Sequence, residues 1–146
     1  TVSIKSDKYE YLNCNFVFWI SGNFISNNQE SNNADNGVLR EYYDDESLYI
    51  EYHFMNGKKD GIQKRWHENG QLEIIYNYNN GKLEGIQKKW HENSQLKGEW
   101  YYNNDKLHGI IREWYPNKQL KFTKKYNMGT LIEVVNNYNP DGTIIQ

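Results

Sequence analysis

The clearest pattern in the chain is an alternation of apolar and polar positions around residues 72–78. Every second position there is apolar, namely Leu72, Ile74, Tyr76 and Tyr78. Because successive side chains of a strand point to opposite faces, this spacing predicts a β-strand with one apolar face. The flanking segments repeat the pattern at Leu48, Ile50, Tyr52 and Phe54 and at Leu96, Trp100 and Tyr102.

The alternating segments belong to units of 24 residues, which is the step between Trp66, Trp90 and Trp114 and between Gly61, Gly85 and Gly109. A fixed period of this length indicates a repeat protein whose units bury their apolar sides by stacking on neighbours. Within a unit, Asn80-Gly81 between two alternating runs is typical of a two-residue type I′ hairpin turn. We therefore predict an all-β protein made of stacked hairpins, which works through a long surface.

The first strand of each hairpin carries an aliphatic, a basic and an aromatic residue at alternate positions. Ile62, Lys64 and Trp66 are one such set. We expect both strands of each hairpin to turn their rings to the same side of the sheet, which gives one aromatic stripe that advances about 10 Å per unit. Aromatic residues are common binding anchors. The predicted partner-binding residues are Tyr42, Trp66, Trp90, Trp114, Tyr52, Tyr76, Trp100 and Tyr102.

The basic residues of the first strands, Arg40, Lys64, Lys88 and Arg112, allow two interpretations. In the first, their stems lie across the neighbouring rings and their charges reach solvent. In the second, they form a ladder of cations among aromatic rings that binds an acidic or phosphate-bearing ligand.

The pattern fades at both ends of the chain. Residues 1–36 are interpreted as a degenerate N-terminal cap with a polar loop at 26–33, in which Cys14 is a small core residue. Residues 37–132 hold four units, and 133–146 form a C-terminal half unit that stops after its first turn. Degenerate end units are expected where a stack must be protected against edge pairing.

Residues 85–93 (Gly-Ile-Gln-Lys-Lys-Trp-His-Glu-Asn) and 78–85 (Tyr-Asn-Asn-Gly-Lys-Leu-Glu-Gly) resemble the variant MORN repeat of low-GC bacteria and large DNA viruses. The resemblance implies an elongated single-layer antiparallel sheet with one hairpin per repeat and a grooved aromatic face that holds a partner's helix or peptide. The chain departs from the repeat at Ser94, Asp105 and Lys118, each in place of a turn glycine. We expect longer or less regular turns there.

Composition and motifs argue against an enzymatic activity and against binding to nucleic acid. The chain of 146 residues has a net charge of -2, and 16% of its residues are aromatic. This charge gives no general attraction to nucleic acid or to an anionic membrane surface. His67-Glu68 and His91-Glu92 lack the second histidine of a zinc-binding motif. We therefore predict no catalytic residue, no metal and no cofactor.

Three classes of function stay open. The leading hypothesis is a protein-interaction or scaffold module that binds a partner helix, a peptide or a second copy of the chain. The second is an anionic-ligand binder that uses the four basic residues. The third is an architectural component of an assembly such as a viral particle. No apolar run reaches the ~18 residues of a membrane span. An intracellular or virion-associated location is the expectation.

Overall fold

The computed structural model describes residues 36–145 and two short segments, Trp19–Ile20 (β1) and Asn23–Phe24 (β2), which pair with each other. The predictions for Cys14 and for the polar loop at 26–33 lie outside the described residues. The described part contains only strands and turns, and therefore has no helix long and apolar enough to cross a membrane.

Twelve strands form one open antiparallel sheet, as the alternating pattern predicts. The long strands follow one another in chain order across the sheet, and each short strand pairs with the end of the long strand before it. Their bounds are β3 (Gly37–Tyr42), β4 (Leu48–Met55), β5 (Lys58–Lys59), β6 (Gly61–Trp66), β7 (Leu72–Asn79), β8 (Lys82–Leu83), β9 (Gly85–Trp90), β10 (Leu96–Asn103), β11 (Lys106–Leu107), β12 (Gly109–Trp114), β13 (Leu120–Asn127) and β14 (Thr130–Asn137).

The two-residue turns between each long strand and the short strand that follows it confirm the type I′ prediction. Asn80 and Gly81 both have positive φ, at 49° and 85°. Asn104 and Asp105 adopt the same shape at 48° and 64°, although the second residue is not glycine. The expectation of longer or less regular turns at the substituted positions is therefore wrong: the turn keeps its length, and the residue accepts a left-handed backbone conformation.

The longer turns, which join the two long strands of each hairpin (residues 67–71 and 91–95 are examples), also keep their shape when the glycine is replaced. Gly70 N–H donates to His67 O at 2.9 Å, and Ser94 N–H donates to His91 O at 2.9 Å. Ser94 has a φ of 62°, against 77° for Gly70. The serine thus reproduces the turn of the glycine that it replaces.

A β-bulge follows the longer turn in each hairpin. In the second unit Trp66 lies opposite Leu72, but Arg65 lies opposite Ile74, so that Glu73 is an extra residue on its strand. The corresponding register shift occurs in the other three hairpins, between β3 and β4, β9 and β10, and β12 and β13. A bulge bends the strand and shifts the pairing by one residue.

Glutamine side chains close the gaps between units. Strands β4 and β6 pair at only two residues before they diverge. The Gln63 carboxamide, 1% exposed, fills the space between them. Its Oε1 accepts from His53 N–H at 2.6 Å, and its Nε2 donates to His53 O at 3.0 Å and to Asp60 O at 3.2 Å. Gln87 repeats this arrangement between β7 and β9, with Asn77 N–H at 2.5 Å.

A ladder of side-chain hydrogen bonds ties successive longer turns together. His67 Nε2 lies 3.1 Å from Trp90 O, and His91 Nε2 lies 2.9 Å from Trp114 O. Asparagines add a second rung: Asn69 Nδ2 donates to Glu92 O at 2.9 Å. Because a carbonyl can only accept, each of these imidazoles carries a proton on Nε2.

The C-terminal residues repeat two contacts of the longer turns. Tyr138 pairs with Ile144 as Trp114 pairs with Leu120. Asn139 N–H donates to Thr143 O at 2.8 Å, which is the bond that closes the longer turns elsewhere. Strand β14 forms one edge of the sheet, and residues 130–135 of it are exposed.

Candidate functional site

One side of the sheet carries two columns of aromatic rings, and we call it the tyrosine face. Strand pairing places Tyr76 opposite Gln63 and Tyr78 opposite Gly61, so these residues share a face. Within each strand the rings lie close together, with centroids 6.3 Å apart for Tyr76 and Tyr78. The rings of this face on β4, β7 and β10 are half-buried, and they are Tyr52, Phe54, Tyr76, Tyr78, Trp100 and Tyr102.

Lys59 places a cation between the rings of two units. Its Nζ lies 4.3 Å from the centroid of the Tyr52 ring and 5.6 Å from that of Tyr78. A cation within about 6 Å of an aromatic face is attracted by the ring quadrupole. Burial raises the pKa of Tyr52 and of Tyr78, so both rings keep their hydroxyl protons at neutral pH.

The residues of the tyrosine face differ from one unit to the next along the stack. The first two units place an isoleucine before the ring, at Ile50 and at Ile74, and both isoleucines are buried. The third unit has Gly98 in that position, and the larger ring of Trp100 covers it. In the fourth unit the column is interrupted by Lys124, whose Nζ lies 4.2 Å from the ring centroid of Phe122.

A charged cluster borders the tyrosine face beside the bulge. Glu73 Oε2 accepts from Arg65 Nε at 2.7 Å, and Glu73 Oε1 accepts from Arg65 Nη2 at 2.9 Å. Lys89 Nζ lies 3.2 Å from the same Oε1. Burial acts to raise the pKa of Glu73, but the hydrogen bonds from Arg65 and Lys89 outweigh it and hold that pKa below its ordinary value. The carboxylate is therefore charged at neutral pH.

The opposite side of the sheet, which we call the isoleucine face, exposes a row of aliphatic side chains. Ile62 is 47% exposed, Ile86 50% and Ile110 39%. These residues alternate with the glutamine positions of their strands, so they lie on the other side of the sheet. The four basic residues Arg40, Lys64, Lys88 and Arg112 share this face by the same alternation.

Two of these basic residues already have carboxylate partners. Arg40 Nε lies 2.8 Å from Glu51 Oε2, and Lys88 Nζ lies 3.1 Å from Glu99 Oε1. The arrangement is a row of cross-strand ion pairs, and a continuous ladder of unneutralised cations is not formed. Arg112, in contrast, is exposed.

The expectation of one aromatic stripe is wrong, because the predicted partner-binding residues divide between the two faces. Counting outward from the turn without a bulge would place Ile62 opposite Tyr76. The extra residue Glu73 shifts the pairing by one, so that Gln63 faces Tyr76 instead. Alternation then places Tyr42, Trp66, Trp90 and Trp114 on the isoleucine face, with Tyr52, Tyr76, Trp100 and Tyr102 on the tyrosine face.

The bulge also separates Leu72 from Ile74, which the alternation alone had placed together. Leu72 pairs with Trp66, whereas Ile74 pairs with Arg65. The extra residue Glu73 reaches both Arg65 and Lys89, the two residues that flank Ile74, and so lies on the same face as Ile74. Leu72 and Trp66 therefore pack on the isoleucine face near the turn.

Sequence reasoning missed several residues of the tyrosine face. Phe54 and Tyr78 stand in the same column as Tyr102, and the period of 24 residues could have identified them. Gln63 and Gln87 recur at the same position of successive units, each directly after an isoleucine, and this recurrence was the available sign of a buried polar group. Lys59 gave no such sign, because the next units have Leu83 and Leu107 in its place.

The two histidines considered as metal ligands make hydrogen bonds within the repeat stack. His67 and His91 bond to backbone carbonyls of the next unit. In the part of the chain that the structure describes, no three His, Cys, Asp or Glu side chains are grouped so that they could hold a metal ion.

Comparison with known families places three consecutive units in one of them. The model of the MORN repeat variant matches residues 59–80, 83–104 and 107–128. Repeats of this type are non-catalytic and are generally associated with protein–protein interaction or with membrane or ligand interaction. Comparisons with curated proteins and with solved structures found no match.

Proposed function

We propose that the chain is a non-catalytic binding module whose tyrosine face holds a helix or extended peptide of a partner protein. The match of residues 59–80, 83–104 and 107–128 to the MORN repeat variant supports this proposal. The observation that carries this proposal is the set of half-buried rings aligned on one side of a one-layer sheet. Tyrosine and tryptophan bury large areas at low entropic cost, which makes such rings effective anchors.

The dimensions of the face suit an elongated ligand. Each unit adds two long strands at about 4.8 Å each, so the rings of three successive units extend over roughly 20–25 Å. A helix of that length has about 15 residues, at a rise of 1.5 Å per residue. The neutral hydroxyl groups of Tyr52 and Tyr78 offer hydrogen bonds along this surface, and Lys59 between them favours a partner with an acidic group.

The competing functions are separate outcomes of the test. An anionic ligand held by Arg40, Lys64, Lys88 and Arg112 would occupy the isoleucine face and would have to compete with Glu51 and Glu99. An architectural role would appear as self-association without a foreign partner.

The test uses affinity capture from the native source with a matched pair of variants. Tyr76→Thr removes a ring from the tyrosine face, and Ile86→Thr removes an exposed side chain of similar position from the isoleucine face. Threonine suits a strand in both places. We expect the captured protein to be lost with the first variant and kept with the second, while circular dichroism confirms that both variants fold.

Two further arms separate the alternatives. The double variant Arg40→Gln/Lys88→Gln should keep the partner, and raising the salt from low to physiological strength should weaken binding little. Sedimentation of the purified chain reports self-association. Capture that survives Tyr76→Thr but disappears with the double variant would overturn the proposal in favour of an anionic ligand.

A further inference from the structure

A groove of about 400 Å³ lies on the isoleucine face between the third and fourth hairpins. Its apolar part is formed by Ile86, Tyr101 and Ile110, which are 50%, 37% and 39% exposed. Ile86 lies opposite Tyr101 across β9 and β10, and Ile110 belongs to β12, the next strand of the sheet. Three neighbouring strands thus contribute exposed aliphatic and aromatic side chains to one groove.

Tyr101 stands at a position of the repeat where the two preceding units have polar residues, Asn77 and His53. Asn77 donates from its side chain to a backbone carbonyl of β9. His53 Nε2 lies 3.0 Å from Glu51 Oε1. Tyr101 instead packs beside the ring of His108, with centroids 6.2 Å apart. The groove therefore presents an aromatic ring where the preceding units present side chains that are engaged in polar contacts within the sheet.

An exposed arginine borders the apolar part of the groove. Arg112 lies two residues after Ile110 on β12 and directly opposite Glu99 on β10. Lys88 lies on the other side of Glu99 and already holds its carboxylate, with Nζ 3.1 Å from Oε1. In the described part of the chain the Arg112 side chain forms no hydrogen bond and no ion pair. Its guanidinium donors are therefore available to a ligand.

The charges near the groove leave an excess of one cation. Lys88 and Arg112 flank Glu99, so two positive charges share one carboxylate. The next charged residues of this face, Lys125 and Glu133, lie opposite each other and balance. A carboxylate of a ligand would therefore complete a charge-assisted pair with Arg112 and would not have to displace a carboxylate of the chain.

We propose that this groove binds an extended segment of a partner polypeptide in which an aliphatic residue and an acidic residue stand two positions apart. Ile110 and Arg112 are alternate residues of one strand, so their side chains leave the same face about 7 Å apart. An extended segment has the same spacing. Its aliphatic side chain can lie over the Tyr101 ring between Ile86 and Ile110 while its carboxylate accepts two hydrogen bonds from the guanidinium of Arg112.

This site is distinct from the partner surface proposed above, because the groove and the tyrosine face lie on opposite sides of the sheet. Tyr76→Thr, which should abolish capture of the partner, should leave binding in the groove unchanged. Ile86→Thr, which should keep the captured partner, should weaken binding in the groove. The failure of one proposal is therefore distinguishable from the failure of the other.

The first experiment titrates the ¹⁵N-labelled chain at low salt with the peptide acetyl-Thr-Leu-Thr-Glu-Thr-amide. Two control peptides carry glutamine in place of the glutamate or serine in place of the leucine. We expect the first peptide to bind about three- to fivefold more tightly than either control, since a surface ion pair and a partly buried aliphatic side chain each contribute a factor of this size. The amide resonances of Ile86, Tyr101 and Ile110 should move, and that of Tyr76 should not.

A matched pair of variants tests the role of the arginine. Arg112→Gln should remove the preference for the glutamate peptide over the glutamine peptide. Arg40→Gln makes the same change at the equivalent position of the first unit and should keep the preference. Tyr101→Asn, which introduces the residue of the second unit, should weaken both leucine-containing peptides by about threefold, because it removes apolar surface from the groove.

Four results would overturn the proposal. Equal binding of the glutamate and glutamine peptides would show that Arg112 recognises no carboxylate. An equal loss of preference in Arg40→Gln and Arg112→Gln would show attraction by the general charge of the face. No change of the groove resonances at millimolar peptide would show that the groove binds no such segment. Binding to phosphatidylserine vesicles that Arg112→Gln abolishes, with no response to peptide, would assign the arginine to a membrane surface.

Discussion

Replacing Gly98 by alanine tests how the rings of the tyrosine face are accommodated. A Cβ atom on Gly98 would lie 2.4 Å from Trp100 Cη2, 2.5 Å from Cζ2 and 3.0 Å from Cζ3. Carbon atoms in good contact are about 3.5–4.0 Å apart, so the indole would have to retreat by about 1 Å. The clash is with the ring itself, which cannot bend away as a flexible chain would.

The expected cost follows from two opposing contributions. Overpacking of this kind typically costs ~1–3 kcal/mol. Alanine in place of glycine in a strand recovers roughly 0.5–1 kcal/mol of conformational entropy. Gly98→Ala should therefore lower the free energy of unfolding by about 1–2 kcal/mol, measured as a shift of the urea midpoint at constant slope.

The neighbouring units supply the rescue. Ile74 and Tyr76 occupy the equivalent positions, and Ile74 is buried beside the smaller ring. A tyrosine in place of Trp100 should therefore tolerate a side chain at position 98. The double variant Gly98→Ala/Trp100→Tyr should be more stable than the sum of the two single changes predicts, by at least ~1 kcal/mol. Additivity within about 0.5 kcal/mol would refute the reasoning, since residues in contact should couple.

Two other predictions concern a turn and a charge. Lys118 has a φ of 70°, and a left-handed residue with a side chain costs ~1–2 kcal/mol. Lys118→Gly should therefore raise the free energy of unfolding by a net ~0.5–1 kcal/mol, seen as a higher urea midpoint, whereas Lys118→Ala should not. Gly70→Ala, where nothing lies within 4 Å of the added Cβ, should lower the free energy of unfolding by about 1 kcal/mol. The lowered pKa of Glu73 contributes stability above its unfolded-state pKa of ~4.3, which is lost as the pH falls through the lower folded value. Glu73→Gln should cost ~1–2 kcal/mol at pH 7, and its difference from wild type in urea titrations should shrink below about pH 4; a constant difference from pH 7 to pH 3 would contradict this assignment.

The sequence was sufficient to predict the hairpins because each of their signals is local. Alternation at Ile74, Tyr76 and Tyr78 indicates a strand, and Asn80-Gly81 indicates its turn. The period of 24 residues then extends the prediction from one hairpin to the hairpins stacked beside it. None of these steps requires knowledge of which residues lie opposite one another across the sheet.

The faces could not be assigned in this way, because a single extra residue decides them. The bulge at Glu73 is held by contacts with Arg65 and Lys89, which come from two different strands. Local pattern contains no sign of that ion cluster. Hydrophobicity is also a poor guide to which of two neighbours is buried. Ile62 is exposed, while its polar neighbour Gln63 is buried and makes hydrogen bonds to the backbone.

The physical reason that rings stay available for binding lies in how the units are joined. A one-layer sheet has no second layer to cover its faces, so its stability must come in large part from contacts within the sheet plane and along its edges. The hydrogen bonds of the Gln63 carboxamide to His53 and the bond from His67 to Trp90 O are contacts of this kind. They satisfy backbone groups without using the aromatic rings of the tyrosine face.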